Sequence, residues 1–332
     1  MFSVTNSRGF VNQQEQFEDR EMKGEDIAAY KIISPGEFAY NPARINVGSI
    51  ARYDGEYDCM ISSLYVCFKA KKELVDTQLL LHILKSPKMV YNYGINGEGG
   101  VRIYLFYPNF ARIKVKLPGL DEQRKIASFL DIVEKRIEIQ SKVIERYESL
   151  IKALRHHIFA SINPVEEVCF SDILSYEQPT RYIVTDTEYS DNKDLTPVLT
   201  ANKAFILGYT DEREGIYRKG PCIILDDFTL DCKIVDFPFK VKSSAIKILT
   251  AKSSVNLRYV YEYLRYLDLN TEEHKRHYIA EIEPMTVELP EKAEIDAIAN
   301  LFSKLDSRKQ LAERDLELLK SEKAFFLNTL FI

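Results

Sequence analysis

The sequence predicts an α+β protein of two globular domains, each followed by a long spacer helix, with the two helices forming an antiparallel coiled coil. Three observations carry that prediction. A strand ending in Leu-Pro and entering a long helix occurs twice: Val115, Leu117 and Pro118 are met 172 positions later by Val287, Leu289 and Pro290. Residues 121–160 hold no glycine or proline, and their apolar positions step alternately by four and three. Each segment upstream of a helix runs through strands, a helix and further strand material. A repeat this long is a duplicated domain-plus-helix unit, since solenoid repeats recur every 20–50 residues or so. The expected boundaries are 1–118 for a first domain, 119–162 for its helix, 163–290 for a second domain and 291–332 for the second helix.

The first helix aligns Ile126, Leu130, Val133, Ile137, Gln140, Ile144, Tyr147, Ile151, Leu154 and Ile158 on one stripe, the a and d seam of a coiled coil. Gln140 is the polar member, of the kind that sets register. The second helix is less regular, with Ile298, Phe302, Leu305, Ala312, Leu316, Leu319 and Phe326 on its seam. Lys309 and Lys323 interrupt it where the first copy has Ile137 and Ile151. Matched length and offset need a common cause, which an intramolecular antiparallel pair supplies. Independent partner-binding helices, or coiled coils between molecules, are the alternative.

Within the first domain, residues 30–41 read as a strand, a turn at Pro35-Gly36 and a second strand. Residues 63–70 form another β-rich run, and 77–93 is helical as far as Pro87. A glycine-rich loop at 94–102 and strand material then lead into the first long helix. In the second domain, 216–228 holds a Lys219-Gly220 turn and a strand, 245–251 a strand and 255–269 a helix. Upstream of the strand turn the second domain is the longer. The first is therefore expected to be shortened at its N-terminal side, because the chain starts inside that module or because another polypeptide completes it.

Composition describes a folded protein of about two cores, with 45% hydrophobic and 29% charged residues over 332 positions. The sequence shows neither a membrane span nor a secretory signal, so a cytoplasmic location is expected. Five cysteines, scattered and never in CxxC spacing, suit reduced thiols rather than a disulfide framework or zinc site. A net charge of −5 argues against non-specific coating of nucleic acid but leaves room for local basic faces.

At Leu-Pro-x-Leu-x-x-Gln (LPGLDEQRKIASFLD, 117–131) the chain resembles the specificity subunit of type I restriction–modification systems. PGEFAYNPARINVGSI (35–50), LTANKAFILGYT (199–210), DDFT (226–229) and FPFKVKSSAIKIL (237–249) resemble the interiors of its recognition domains. The second copy departs from the pattern, with ELPEKAEIDAIANLF replacing the glutamine-bearing form. The resemblance implies sequence-specific binding of double-stranded DNA at a bipartite target, one half-site per domain, with the helix pair fixing the gap. It also implies no catalysis in this chain. Methyltransferase subunits docked on the helices bring S-adenosylmethionine chemistry, and a restriction subunit with motor and nuclease activity uses ATP and Mg. No cofactor or metal is then expected on this chain itself.

Base edges and phosphates are met by Arg, Lys, Asn, Gln, Ser and Thr. Candidate DNA contacts in the first domain are Asn41, Arg44, Asn46 and Arg52 after the strand turn, and Arg102 at the end of the glycine-rich loop. In the second they are Thr200, Asn202 and Lys203, then Arg213, Arg218 and Lys219, then Lys240, Lys242, Ser243 and Ser244. Solvated loops are the plainer account of any one of them.

Two rival functions remain. A coiled-coil scaffold that binds no DNA would use the same helices. A metal-dependent nuclease would use Asp226 or Asp227 with Asp231 and Lys233, an acid followed by acid-x-Lys, although a turn rich in Asp is commoner. His156-His157 lacks ligand-spaced partners and suits a helix C-terminus. Gly94, Gly97, Gly99 and Gly100 match no phosphate-loop or dinucleotide fingerprint.

Overall fold

The computed structural model describes residues 2–6, 8–12, 30–100, 103–200, 204–252, 255–269, 271 and 275–330. Two compact units emerge: Met1–Lys142 with Glu313–Ile332, and Val143–Ala312. Each takes part of both long helices.

The first unit contains β1 (Phe2–Thr5), β2 (Gly9–Asn12), β3 (Lys31–Ile33), β4 (Phe38–Tyr40), β5 (Ile50–Arg52), β6 (Cys59–Ile61) and β7 (Val66–Phe68). Helices α1 (Thr77–Leu84), α2 (Pro87–Asn96), α3 (Tyr107–Phe110) and α4 (Leu120–Ala160) follow. The β1–β2 hairpin is joined by parallel β6 and then antiparallel β3, giving the order β2-β1-β6-β3. A separate antiparallel sheet has the order β5-β4-β7. The Pro35-Gly36 turn therefore joins two sheets rather than closing a hairpin, with Gly36 at φ +86°. Phe38, Tyr40 and Ile50 pack with Leu79, Ile83, Met89, Tyr93 and Leu105, and the same core takes in Ala127, Leu130 and Leu327 from the long helices.

Two sequence expectations need correction here. Helix does not stop at Pro87. Proline at the first turn loses no intrahelical bond, and the Ser86 hydroxyl accepts from Met89 N at 3.2 Å, so a second helix begins there. Residues 113–119 form no strand and have no ladder partner among the described residues.

The second unit contains β8 (Glu166–Cys169), α5 (Phe170–Ile173), β9 (Leu174–Glu177), β10 (Thr196–Leu199), β11 (Ile206–Thr210), β12 (Cys222–Asp226), β13 (Cys232–Val235), β14 (Lys240–Val241) and β15 (Ile246–Ala251). Helix α6 (Leu257–Tyr266), β16 (Thr286–Leu289) and α7 (Lys292–Leu330) complete it. The β10–β11 hairpin with parallel β14 repeats β1–β2 with β6. Antiparallel β13-β12-β15 repeats β5-β4-β7. Helix α6 repeats α1, each with a side-chain N-cap, Asn256 and Asp76. β8, α5 and β9 have no counterpart among the described residues of the first unit. β8 pairs with β16, and β9 extends the sheet beyond β15.

The long helices, 41 and 39 residues, pack against each other antiparallel. At 1.5 Å per residue each is a rod of about 60 Å. Leu130, Val133, Ile151, Ile298, Phe302 and Leu319 are buried, and Ile126, Ile137, Ile144, Tyr147, Leu154, Leu305, Leu316 and Phe326 are half-buried. Lys323 bonds Glu134 at 2.8 Å in the first unit, and Lys309 meets Glu148 at 3.4 Å in the second. The two lysines that break the apolar seam thus lie two heptads apart, each facing an acid on the opposite helix. Being exposed pairs, they specify register more than they stabilise.

Gln123, the glutamine of the Leu-Pro motif, is buried and holds the entry to α4. Its amide donates to the carbonyls of Leu74 (3.0 Å) and Pro118 (2.8 Å), and its oxygen accepts from Asp76 N at 2.9 Å. The corresponding residue of the second copy, Ile295, fills its seat with apolar packing. Gln123→Leu is expected to orphan these backbone groups and cost the first unit about 1–3 kcal/mol, read as a lower urea midpoint at unchanged slope.

Candidate nucleic-acid interface

In the second unit, one end of the β10–β11–β14 sheet gathers two of the three predicted groups. Lys242 N donates to Leu199 O at 3.0 Å, which sets the loop of exposed Lys242 and Ser243 and half-buried Ser244 beside the hairpin turn. Thr200 opens that turn, its N–H bonded to Phe205 O at 3.0 Å. Asn202 and Lys203 lie outside the described residues. Arg213 and Arg218 are exposed. Arg218 borders a shallow groove of about 410 Å³ with Lys193, Thr196, Tyr209, Phe237 and Pro238, which combines cations with aromatic faces.

Other predicted contacts are committed to the fold. Lys219 is exposed, but its ammonium bonds both carboxylate oxygens of Glu177 at 2.8 Å. Lys240 is buried at 3% exposure, between the Glu212 carboxylate and the Glu214 carbonyl, and is withdrawn as a DNA contact. Its place on β14, flanked by buried Phe239 and Val241, leaves the ammonium no route to solvent. Burial alone would raise the Glu212 carboxyl, but Lys240, Thr185 and the backbone N–H groups of Thr185 and Asp186 hold it down to about 2. A depressed carboxyl contributes stability above its unfolded value of about 4.3 and loses it as pH falls toward 2. Glu212→Gln should therefore flatten the fall in second-unit stability between about pH 5 and pH 2, followed by thermal melts across that range.

In the first unit Arg44 is exposed and Asn46 half-buried. Asn41 shapes its turn, its side-chain oxygen accepting from Ala43 N at 3.0 Å. Arg52 is engaged within the fold. Its guanidinium pairs with Asp54 and bonds Thr77 Oγ1 at 3.2 Å, leaving the side chain only 18% exposed. Arg102 lies outside the described residues. The strand correspondence brings forward residues that sequence reading missed: exposed Arg8 and Asn6 in the β1–β2 turn, and exposed Ser63 after β6. Aligning β6 with β14, rather than the helices alone, is the signal that finds them.

The acids of the nuclease reading are also structural. Asp226 caps its own turn by accepting from Phe228 N and Thr229 N, both at 2.9 Å. Asp227 is buried, accepts from His277 N (3.1 Å) and Tyr278 N (2.8 Å), and pairs with buried Lys247 at 3.2 Å. Among the described residues, His82, Asp131 and Glu134 form the one group spaced to hold a metal. Asp131 there receives His82 Nε2 at 2.7 Å and Gln78 Nε2 at 2.6 Å, and Glu134 holds Lys323. These bonds read as a clamp between α1 and the long helices.

Residues 3–148 match the family described as the type I restriction modification DNA specificity domain. A stretch of 132 residues is 46% identical to the specificity subunit of the Escherichia coli type I restriction enzymes EcoR124I and EcoR124II, and covers 38% of this chain and 32% of that protein. The chain thus spans about a third of that relative's length. The MjaX type I restriction enzyme specificity subunit named in Methanocaldococcus jannaschii is 21% identical over 347 aligned positions, 93% of this chain and 80% of its own.

Residues 3–148 thus carry the type I restriction modification DNA specificity domain. Solved structures share the fold of this chain. The S subunit from M. genitalium aligns with a TM-score of 0.62 at 13% identity, covering 91% of this chain and 84% of that one. A chain from a type I restriction–modification system, solved for its complex assembly and conformational transition, gives 0.56 at 14% identity, with 90% and 82% covered. No helix among the described residues is long and apolar enough to cross a membrane.

Proposed function

We propose that this chain is a specificity subunit of a type I restriction–modification complex, which binds double-stranded DNA through both globular segments, reads half of a bipartite target with each, and directs methyltransferase and restriction subunits to it. The observation that carries the reading is the repeated strand plan. Two units share a hairpin with a parallel third strand, an antiparallel sheet and a capped helix, each ending in one of two paired long helices. Equivalent turns carry Thr200, Lys242 and Ser243 in one unit and Asn6, Arg8 and Ser63 in the other, side chains suited to phosphate and base-edge contact. Because the two sets differ, they favour two unlike half-sites. An overall charge of −5 fits a reader whose partners supply further positive surface.

Both long helices also present a second apolar stripe, one residue ahead of the seam. It comprises Phe129, Ile132, Ile139 and Leu150 on α4, and Leu301, Leu311, Leu318 and Phe325 on α7, each 38–63% exposed. This supports docking of the methyltransferase subunits there. S-adenosylmethionine, ATP and Mg then belong to partners, and this chain catalyses nothing.

Methylation-site mapping in cells carrying this chain and its methyltransferase partners tests the reading. A bipartite motif with a fixed gap is expected, and Lys242→Ala with Ser243→Ala should relax one half only, by about 10–100-fold per lost base contact. Methylation that ignores this chain, or a motif without two halves, would overturn it.

A further inference from the structure

The joint between a capped helix and its long helix is built twice, and the copies differ in the group that bridges it. In the second unit, Arg258 and Glu262 stand two and six residues after the Asn256 cap of α6. The Arg258 guanidinium bonds Glu262 at 2.6 Å and pairs with Asp306 of α7, so a cation joins the two helices. In the first unit, Gln78 and His82 hold the same places after the Asp76 cap of α1, and Glu134 of α4 lies 172 positions before Asp306. A cation from the opposite long helix is kept in both copies, Arg155 on Glu262 and Lys323 on Glu134, each at 2.8 Å. The guanidinium is not kept, because Gln78 stands in its place and bonds Asp131 Oδ1 at 2.6 Å. The same oxygen meets His82 Nε2 at 2.7 Å. An ionised carboxylate only accepts, so the ring proton sits on Nε2 and Nδ1 presents a bare lone pair. Nδ1 stands 3.7 Å from Glu134 Oε2, beyond hydrogen-bond reach, and the imidazole is 3% exposed. A buried lone pair facing a carboxylate oxygen calls for a cation between them.

We propose that His82 Nδ1 and Glu134 Oε2 bind one divalent first-row transition ion of the zinc type, with Asp131 as the outer carboxylate that orients the imidazole. Two ligands about 2.1 Å from a tetrahedral ion stand about 3.4 Å apart, so the gap closes with a shift of a few tenths of an ångström. An imidazole with a carboxylate suits zinc better than magnesium or calcium. Carboxylate, imidazole and metal in that order is the usual way a metal-binding histidine is held. Glu134 is fixed as well, since its other oxygen takes Lys323. Leu81, Lys85, Glu134 and Glu138 line a cavity of about 760 Å³, which gives the ion an entry path and water for its remaining positions. Bound there, the ion ties α1 to α4 as Arg258 ties α6 to α7. The inference does not depend on what DNA the protein reads.

The test titrates zinc into the chelator-stripped full chain by calorimetry, with hydrogen exchange to locate the ion. Saturable binding is expected, with slowed exchange in α1 and in the facing turns of α4, and a melting temperature that rises with zinc concentration. Asp131 is 43% exposed, so Asp131→Asn keeps the fold and should weaken binding about 10–100-fold. A second variant combines Gln78→Arg, His82→Glu and Asp131→Ser, which writes the joint of the second unit into the first. It should melt cooperatively without zinc and show no protection of α1 when zinc is added. Absence of saturable binding by the native chain, or protection only outside α1 and α4, would overturn the proposal. So would unchanged affinity in Asp131→Asn, or undiminished protection of α1 in the triple variant.

Discussion

Asp227→Ala should destabilise the second unit by about 3–5 kcal/mol, the cost of leaving a buried ion without its partner. Lys247 is 1% exposed, and its ammonium meets Asp227 at 3.2 Å and Tyr176, through the hydroxyl at 3.1 Å and the ring face at 4.9 Å. The same carboxylate receives His277 N and Tyr278 N, so its removal also frees the π-helical turn over Tyr278–Ile282. Asp227→Leu with Lys247→Met, which removes both charges at similar volume, should recover much of the loss. Chemical denaturation of the three proteins checks the order. Were the double variant no better than the single, the ion pair would not be the source of the loss.

A comparable loss, about 3–5 kcal/mol, is expected from Glu262→Ala. Glu262 is fully buried on α6 between two guanidinium groups. Arg155 of α4 donates to it at 2.8 Å, and Arg258 lies 2.6 Å away while also pairing with Asp306 of α7. One carboxylate thereby fastens the second recognition segment to the parts of both long helices within its own unit. Without it, two largely buried cations face each other. Under the proposed function, methylation at one half-site should also fall while the other half of the motif is unchanged. A variant that melts early yet keeps both halves equally would separate stability from orientation. Hydrogen exchange on α6 reports which occurs.

The helix pair was readable from the chain because a four-three apolar period over forty residues has few other causes. Even the two lysines that break it had a meaning, though their acids, Glu134 and Glu148, sit on the other helix far away in sequence. Pro87 misled because proline both ends helices and begins them, and only the Ser86 cap separates the two outcomes. Residues 113–117 have the composition of a strand, but a strand exists only with a neighbour, and neighbours are non-local. The same holds for the binding loops. Lys240 and Lys242 are alike in sequence, and the Glu212 carboxylate with the Glu214 carbonyl distinguishes the one drawn inward. Arg8 and Ser63 were missed because the repeat was measured along the helices, whereas the loops are brought into correspondence by strand pairing.

The unlike joints at Gln123 and Ile295 have a thermal consequence. An apolar seat loses strength on cooling, as hydrophobic stabilisation fades, while a hydrogen-bonded one does not follow that course. Chilling should therefore loosen the Ile295 joint before the Gln123 joint, so that the two units of one molecule weaken in a fixed order on cooling.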